Sequence, residues 1–381
     1  MKTEVELVME HIVSANSCEE IFGKLEGSAE QKLRVIATVY KRLARKVHPD
    51  VNGGTTTATE AFTLLNQHHE HAKEKVKQGL YGNGKAYEPN ASSSEDSKEV
   101  VIAGKYTRYA SFRAGDIADL HACYTLTGSK RTELLLKVAR QPRDQVLMEV
   151  ERNNLLYLDE QLSKHPSGKE WRQCIPKVFE NLGQATILQR FTGFVDATQI
   201  HEVYPKGVDD RTIAWMWKRL LLLLDWTSNL GVLHGAVLPP HVLYYPDNDG
   251  GIVRDPRKHS VRLVDWCYSV RNPTTKGKKL KAWVPEWEQF YAPEILAKEQ
   301  LGSFTDLYMG AKTMLYLLGG DVQHNIFPAH VPARMVKSFE ECLRIDPKRR
   351  PQNIGLYFDG FTTLLQQLYG PPKFHEFVMP Q

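Results

Sequence analysis

Phe290-Tyr291-Ala292-Pro293-Glu294 is the stretch from which the larger part of this chain becomes legible. It is followed by Ser303-Phe304-Thr305-Asp306-Leu307-Tyr308-Met309-Gly310, and then by Cys342-Leu343-Arg344-Ile345-Asp346-Pro347-Lys348-Arg349-Arg350-Pro351. Thr305 can cap a helix whose Leu307, Met309, Ala311, Met314 and Leu315 belong to a core, with Gly319-Gly320 ending it. Working upstream, Asp209 to Leu230 reads as a long amphipathic helix with Ile213, Trp217, Leu220, Leu221 and Leu224 inward. Earlier still, Thr132-Glu133-Leu134-Leu135-Leu136-Lys137-Val138-Ala139 is an apolar strand holding one lysine. Glu151 opens a helical pattern continued by Leu155 and Leu158. From Val100 onward strand-like and helix-like segments alternate, without an internal repeat.

The first eighty residues have a different grain, rich in Leu, Ala, Lys and Glu with helical periodicity. Leu33, Ile36, Ala37, Tyr40, Leu43, Ala44 and Val47 share one helix face. The opposite side bears Lys32, Arg34, Lys41, Arg42, Arg45 and Lys46, of which Arg34, Lys41 and Arg45 form one exposed stripe. A second amphipathic helix follows around Thr57 to Lys75, with Ala61, Phe62, Leu65 and Ala72 inward. Between the two lies His48-Pro49-Asp50-Val51-Asn52-Gly53-Gly54, where proline stops the first helix and the glycines let the chain reverse. Pro89-Asn90-Ala91-Ser92-Ser93-Ser94-Glu95-Asp96-Ser97 has too little apolar surface to fold alone and reads as a tether.

The bulk numbers exclude several classes. At 381 residues, 42% hydrophobic and 25% charged, the chain has the composition of a soluble protein of two or three domains. A net charge of +4 gives no bulk attraction to nucleic acid or membrane. Five scattered cysteines, never as C-x-x-C, argue against disulfides and zinc ribbons and for a reducing cytoplasm. No apolar signal core follows Met1, and the longest apolar run, Leu220 to Leu224, is too short to span a bilayer. His68, His69 and His71 crowd one helix without a partner ligand at zinc spacing.

The basic helix, the His48-Pro49-Asp50 turn and the pattern Ala61-Phe62-x-x-Leu65-Asn66 together resemble the J domain, over roughly residues 15 to 80. His69 stands where that family usually has tyrosine, a departure expected to affect packing more than docking. The resemblance implies that His48, Pro49 and Asp50 form the signalling turn toward a DnaK-type chaperone. Arg34, Lys41, Arg42 and Arg45 would then meet an acidic surface on that partner.

The opening stretches resemble, in order, the A-P-E motif, the central buried helix and the arginine segment of the protein-kinase fold. By that resemblance Glu294 and Arg350 pair across the large lobe and Asp306 is structural. Lys137 is the nucleotide lysine, Glu151 (or else Glu149) its partner, and Asp265 of Val264-Asp265-Trp266-Cys267 the magnesium ligand. ATP and magnesium are the cofactors so implied. The departures matter more. In the loop His234-Gly235-Ala236-Val237-Leu238-Pro239-Pro240-His241, Ala236 replaces the catalytic aspartate, His241 the magnesium-binding asparagine, and Gly235 the arginine that reads activation-loop phosphorylation. Arg113-Ala114-Gly115-Asp116-Ile117-Ala118-Asp119 keeps one of three phosphate-loop glycines, Gly115, and Asp116 and Asp119 add negative charge where phosphates would lie. Lys276, Lys278, Lys279 and Lys281 fall in the activation segment.

The expectation is therefore an all-α J domain (a helical hairpin with an HPD turn) over 1–80, a linker over 81–99, and an α+β bilobal kinase-like domain over 100–370. Its small lobe runs to about 205 and its large lobe from about 206. The function expected is co-chaperone action, with a pseudokinase binding a protein client. An atypical kinase using Asp247, Asp249 or Asp255, or a nucleotide-sensing switch, is the alternative.

Overall fold

Pro49 shapes the first unit, because a residue preceding proline is pushed out of the helical region. Helix α3 (Ala29–Val47) accordingly stops at His48, whose ψ is 132°. Asn52 then donates its side-chain amide to the carbonyls of Lys46 at 2.8 Å and His48 at 2.9 Å, capping groups the helix end leaves open. The chain turns and re-enters a helix, α4 (Thr56–Lys77). At the other end of α3, Ser28 and Gln31 form a reciprocal capping box. Two shorter helices, α1 (Glu4–Ser14) and α2 (Cys18–Phe22), pack against this hairpin. Val8, Ile12, Ile21, Ile36, Leu43, Val47, Ala61 and Leu65 make the core. Each fully buried aliphatic side chain there contributes roughly 1.5–3 kcal/mol.

The computed structural model describes the chain except residues 1–3, 16, 24, 26–27, 50, 54, 78–80, 82–98, 165–170, 248–259, 374 and 380–381. Asp50, Asp249, Asp255 and nearly all of the expected tether lie outside the described residues. The chain divides into two compact units, Met1–Asp96 and Ser97–Gln381. Among the described residues no helix is long and apolar enough to cross a membrane.

The second unit begins with a six-stranded antiparallel sheet of order β1-β2-β3-β4-β6-β5. The strands are β1 (Val100–Ile102), β2 (Tyr106–Ala114), β3 (Ala118–Thr127), β4 (Lys130–Ala139), β5 (Val178–Asn181) and β6 (Ala185–Gln189). Alternation along β4 sends Leu134 and Leu136 to a small cluster with Tyr106, Cys123 and Ile187. Leu135 and Ala139 point the other way, toward the main core, and Lys137 shares their face. Between β4 and β5 runs α5 (Gln145–Lys164), whose buried stripe is Leu147, Met148, Glu151, Asn154, Leu155, Leu158 and Leu162.

The remainder is mostly helical: α6 (Ala197–Val203), α7 (Asp210–Asn229), a single turn at Pro293–Leu296, α8 (Ser303–Leu317), α9 (Ala333–Cys342) and α10 (Ile354–Tyr369). Helix α7 is capped by Asp209 and buries Ile213, Trp217, Leu220, Leu221 and Leu224. One expectation is corrected. Thr305 does not cap α8, which begins two residues earlier after Gly302. Thr305 instead sits in the first turn, its hydroxyl accepting the Gly302 N–H at 3.2 Å. The side-chain pattern could not separate a cap from this back-bond, since both place a hydroxyl at the helix start.

Candidate functional site

In the first unit, Arg34, Lys41, Arg42 and Arg45 are all exposed along α3. Arg34 holds Glu30 at 2.7 Å across one helical turn, and both side chains stay largely in solvent. His48 and Pro49 are half-buried at the helix end, and the His48 ring meets Phe62 of α4 edge-on at 4.8 Å. The hairpin is fastened further along by Tyr40, whose hydroxyl donates to Asn66 at 2.6 Å. His69 stacks on the Tyr40 ring at 3.9 Å, so its imidazole does aromatic packing between the two helices. A buried carboxylate, Glu19 of α2, receives Lys75 of α4 at 2.8 Å and ties the outer helix to the hairpin.

In the second unit the site grows from Lys137. Its ammonium lies 2.9 Å from Glu151 and 2.8 Å from Asp265, and donates to Cys267 Sγ at 3.1 Å. Helical spacing selects the partner: Glu151 falls on the buried stripe of α5, whereas Glu149 is exposed. The second Glu151 oxygen accepts the Trp266 N–H at 3.0 Å, locking α5 to the segment after the short strand Val261–Leu263. Asp265 adopts left-handed backbone, φ +61°, which turns its carboxylate back toward Lys137. Its other oxygen sits 3.3 Å from His241 Nε2, and the His241 Nδ1 is 2.9 Å from the Ala236 carbonyl.

The electrostatics follow from burial and pairing. Burial pulls the Lys137 ammonium down, but Asp265 and Glu151 outweigh it and hold its pKa well above the ordinary lysine value. Burial likewise pushes Asp265 up, and Lys137 and His241 overcome this and hold it well below the usual carboxylate range. Burial, with Glu151 beside it, pushes the Cys267 thiol well above its ordinary value, so the sulfur stays protonated.

Among the described residues, Glu151, Asp265 and Cys267 are close enough to hold a metal ion. The centre of that group is already filled by a cation, the Lys137 ammonium, and its third donor is a thiol. Magnesium requires hard oxygen ligands in octahedral array. The side chains as arranged do not fit it.

The loop before the short strand Val242–Tyr244 is built around His234 and Asp306. Asp306 of α8 accepts the backbone N–H groups of His234 at 2.7 Å and Gly235 at 2.9 Å. Burial, partly offset by those two bonds, raises its carboxyl to about 7. Gly235 has φ +77°, and a Cβ there would lie 2.5 Å from the Tyr268 carbonyl oxygen, so the loop has no room for a side chain. Ala236, which the kinase resemblance sets in the place of the proton acceptor, is fully buried. Asp247, one alternative acid, is buried and accepts the Phe377 N–H at 3.0 Å from the C-terminal segment.

Gly115 forms the β2–β3 turn, its N–H donating to Ala118 O at 2.9 Å; an added Cβ would meet that oxygen at 2.7 Å. The glycine is thus required by the hairpin itself. Arg140 donates to the Gly115 carbonyl at 2.9 Å and lies 3.4 Å from Asp119, answering part of the negative charge near the turn. Glu294 and Arg350 form a two-pronged pair at 2.7 and 3.0 Å, wholly out of solvent. Cys267 is the member of the Lys137 cluster that sequence reasoning passed over. Its signal was visible as the third residue of Asp265-Trp266-Cys267, where glycine is usual in the kinase motif.

No protein-family profile matches the chain, and no curated protein matches it. Among solved structures, the crystal structure of the kinase domain of PF14_0431 is similar with a TM-score of 0.50 at 12% identity, covering 69% of this chain and 96% of that one. The larger unit has a kinase-like fold. The smaller unit is too short to supply that share of the chain. At this identity the likeness extends to the fold alone, and what the site can do rests on the side chains just described.

Proposed function

We propose that this chain is a co-chaperone whose first unit acts as a J domain, docking on a DnaK-type chaperone and stimulating its ATPase. The second unit, on this reading, binds a protein client and does not transfer phosphate. The supporting observation in the first unit is a basic helix that ends at His48-Pro49, with Arg34, Lys41, Arg42 and Arg45 exposed along it. Cations on a rigid helix steer an acidic partner and set its register. In the second unit, a buried methyl at Ala236 can neither take a proton nor orient a nucleophile. Covalent linkage of the two units would raise the chaperone trigger's effective concentration at a bound client. A cytoplasmic setting, where such chaperones work, belongs to the same proposal.

Single-turnover ATP hydrolysis by a DnaK-type chaperone tests this, with the full chain added as wild type and as His48→Gln. Stimulation by the first and none by the second is expected. Equal stimulation by both, or by neither, would contradict it. A second reading, in which the kinase-like unit senses ATP or acts as an atypical kinase, is favoured by the Lys137–Glu151 pairing. Both oxygens of Asp265 being engaged weighs against it. Thermal stabilisation by ATP with magnesium would support that reading, and its absence would remove it.

A further inference from the structure

The outer face of α5 and the segment after Asp265 enclose a groove of about 670 Å³ that neither reading uses. One wall is helical, with Val150, Asn153 and Tyr157 on successive turns and Leu156 at the rim, 53% exposed. Opposite lie Arg271, Lys278, Lys279 and Lys281. Against these four cations stands one carboxylate, Glu160, and Lys164 already holds it at 2.6 Å. A cleft with this charge excess attracts an anionic occupant and repels a cationic one.

The walls are held in place. The Arg271 guanidinium carbon lies over the Tyr157 ring, 4.1 Å from its centre, and the side chain donates to the Asn153 carbonyl at 3.0 Å and the Asn154 side-chain oxygen at 3.2 Å. Asn154, itself buried, donates to Ser269 Oγ at 2.8 Å, so helix and segment are stitched together beneath the groove. On the lysine side Leu280 is tucked against the core, and Gln300 donates to the Pro273 carbonyl at 2.8 Å. Lys279 and Lys281 therefore flank an anchored residue and border the groove from a fixed base.

We propose that this groove receives an acidic peptide segment of a protein partner, with carboxylates against Arg271 and the three lysines and an apolar side chain against Val150 and Leu156. A volume of this order holds a few extended residues. The apolar wall and the helix-lined trough favour a peptide over nucleic acid, because no exposed aromatic platform for stacking bases is present among the described lining residues. This inference deepens the client-binding role proposed for the second unit and rests on it.

The test is fluorescence anisotropy on the full chain with a short fluorescein-labelled peptide of alternating glutamate and leucine. Wild type should bind it with an affinity that falls as salt rises. The triple variant Lys278→Glu/Lys279→Glu/Lys281→Glu should bind it about tenfold or more weakly, as should Leu156→Asp. All four positions are exposed, so both variants should keep the wild-type melting temperature. Unchanged affinity in the triple variant would overturn the inference. So would a single-stranded oligonucleotide that binds more tightly than the peptide and is lost in the same variant. Chaperone stimulation measured alongside separates the two ideas. Its persistence without peptide binding sinks only this inference, whereas its absence with peptide binding intact sinks only the co-chaperone reading.

Discussion

His234 carries one proton because both ring nitrogens are committed. Nε2 lies 3.0 Å from the Val264 carbonyl and so donates, while Nδ1 accepts the Ala236 N–H at 3.2 Å. A second proton would break the latter bond. Burial first, and His241 second, push the pKa down to about 3, against about 6.5 in an unfolded chain. Between those values the unfolded state binds more protons than the folded one, so stability falls as pH drops through the window and is complete above it. The loss should approach about 1.4 kcal/mol per pH unit. Urea midpoints followed from neutral to mildly acidic pH should show this slope, and His234→Gln should flatten it. An identical slope in the variant would refute the assignment. At Lys137, substitution by methionine leaves Glu151 and Asp265 facing each other without their shared cation. A loss of about 3–5 kcal/mol is expected in urea unfolding, as for other broken buried pairs. A loss under about 1 kcal/mol would mean the cluster is not held by its charges.

At the scale of elements, α3 joins a buried face that holds the first unit together to an exposed face that does not. Reversing Lys41 and Arg45 to glutamate should shift stability by no more than about 0.5 kcal/mol each. It should nevertheless raise the concentration needed for half-maximal chaperone stimulation about tenfold or more. An unchanged half-maximal concentration would take the basic stripe out of the docking account. These helices were legible because a 3.6-residue apolar period and a proline are local signals, and α7 was legible for the same reason. The contacts that complete the site were not. Lys137, Glu151 and Cys267 come from a strand, a helix and a loop that meet only through tertiary packing, and no local pattern brings a thiol under a lysine 130 residues away. The Glu19–Lys75 pair joins residues 56 apart in the same way. Gly115 was readable as a glycine needed for close approach, but the approach is to its own hairpin. The place of β6 between β4 and β5 is also a matter of pairing at a distance.

At the scale of the molecule, a kinase-like fold is present at only 12% identity to a solved kinase domain. The buried Glu294–Arg350 pair and the Asp306 bonds to the His234 loop are scaffold features, satisfied within the fold. The positions that the kinase resemblance assigns to the reaction hold a methyl at Ala236 and an imidazole at His241 already engaged on both sides. On the proposed reading the kinase-like frame serves binding and the first unit offers the surface for a chaperone. The two roles should then be separable by mutation. The most direct measurement is single-turnover ATPase stimulation of a DnaK-type chaperone by the full chain carrying either His48→Gln or Asp265→Asn. The account predicts that His48→Gln abolishes stimulation and Asp265→Asn leaves it at the wild-type level. Stimulation that survives His48→Gln, or that is lost with Asp265→Asn, would contradict it.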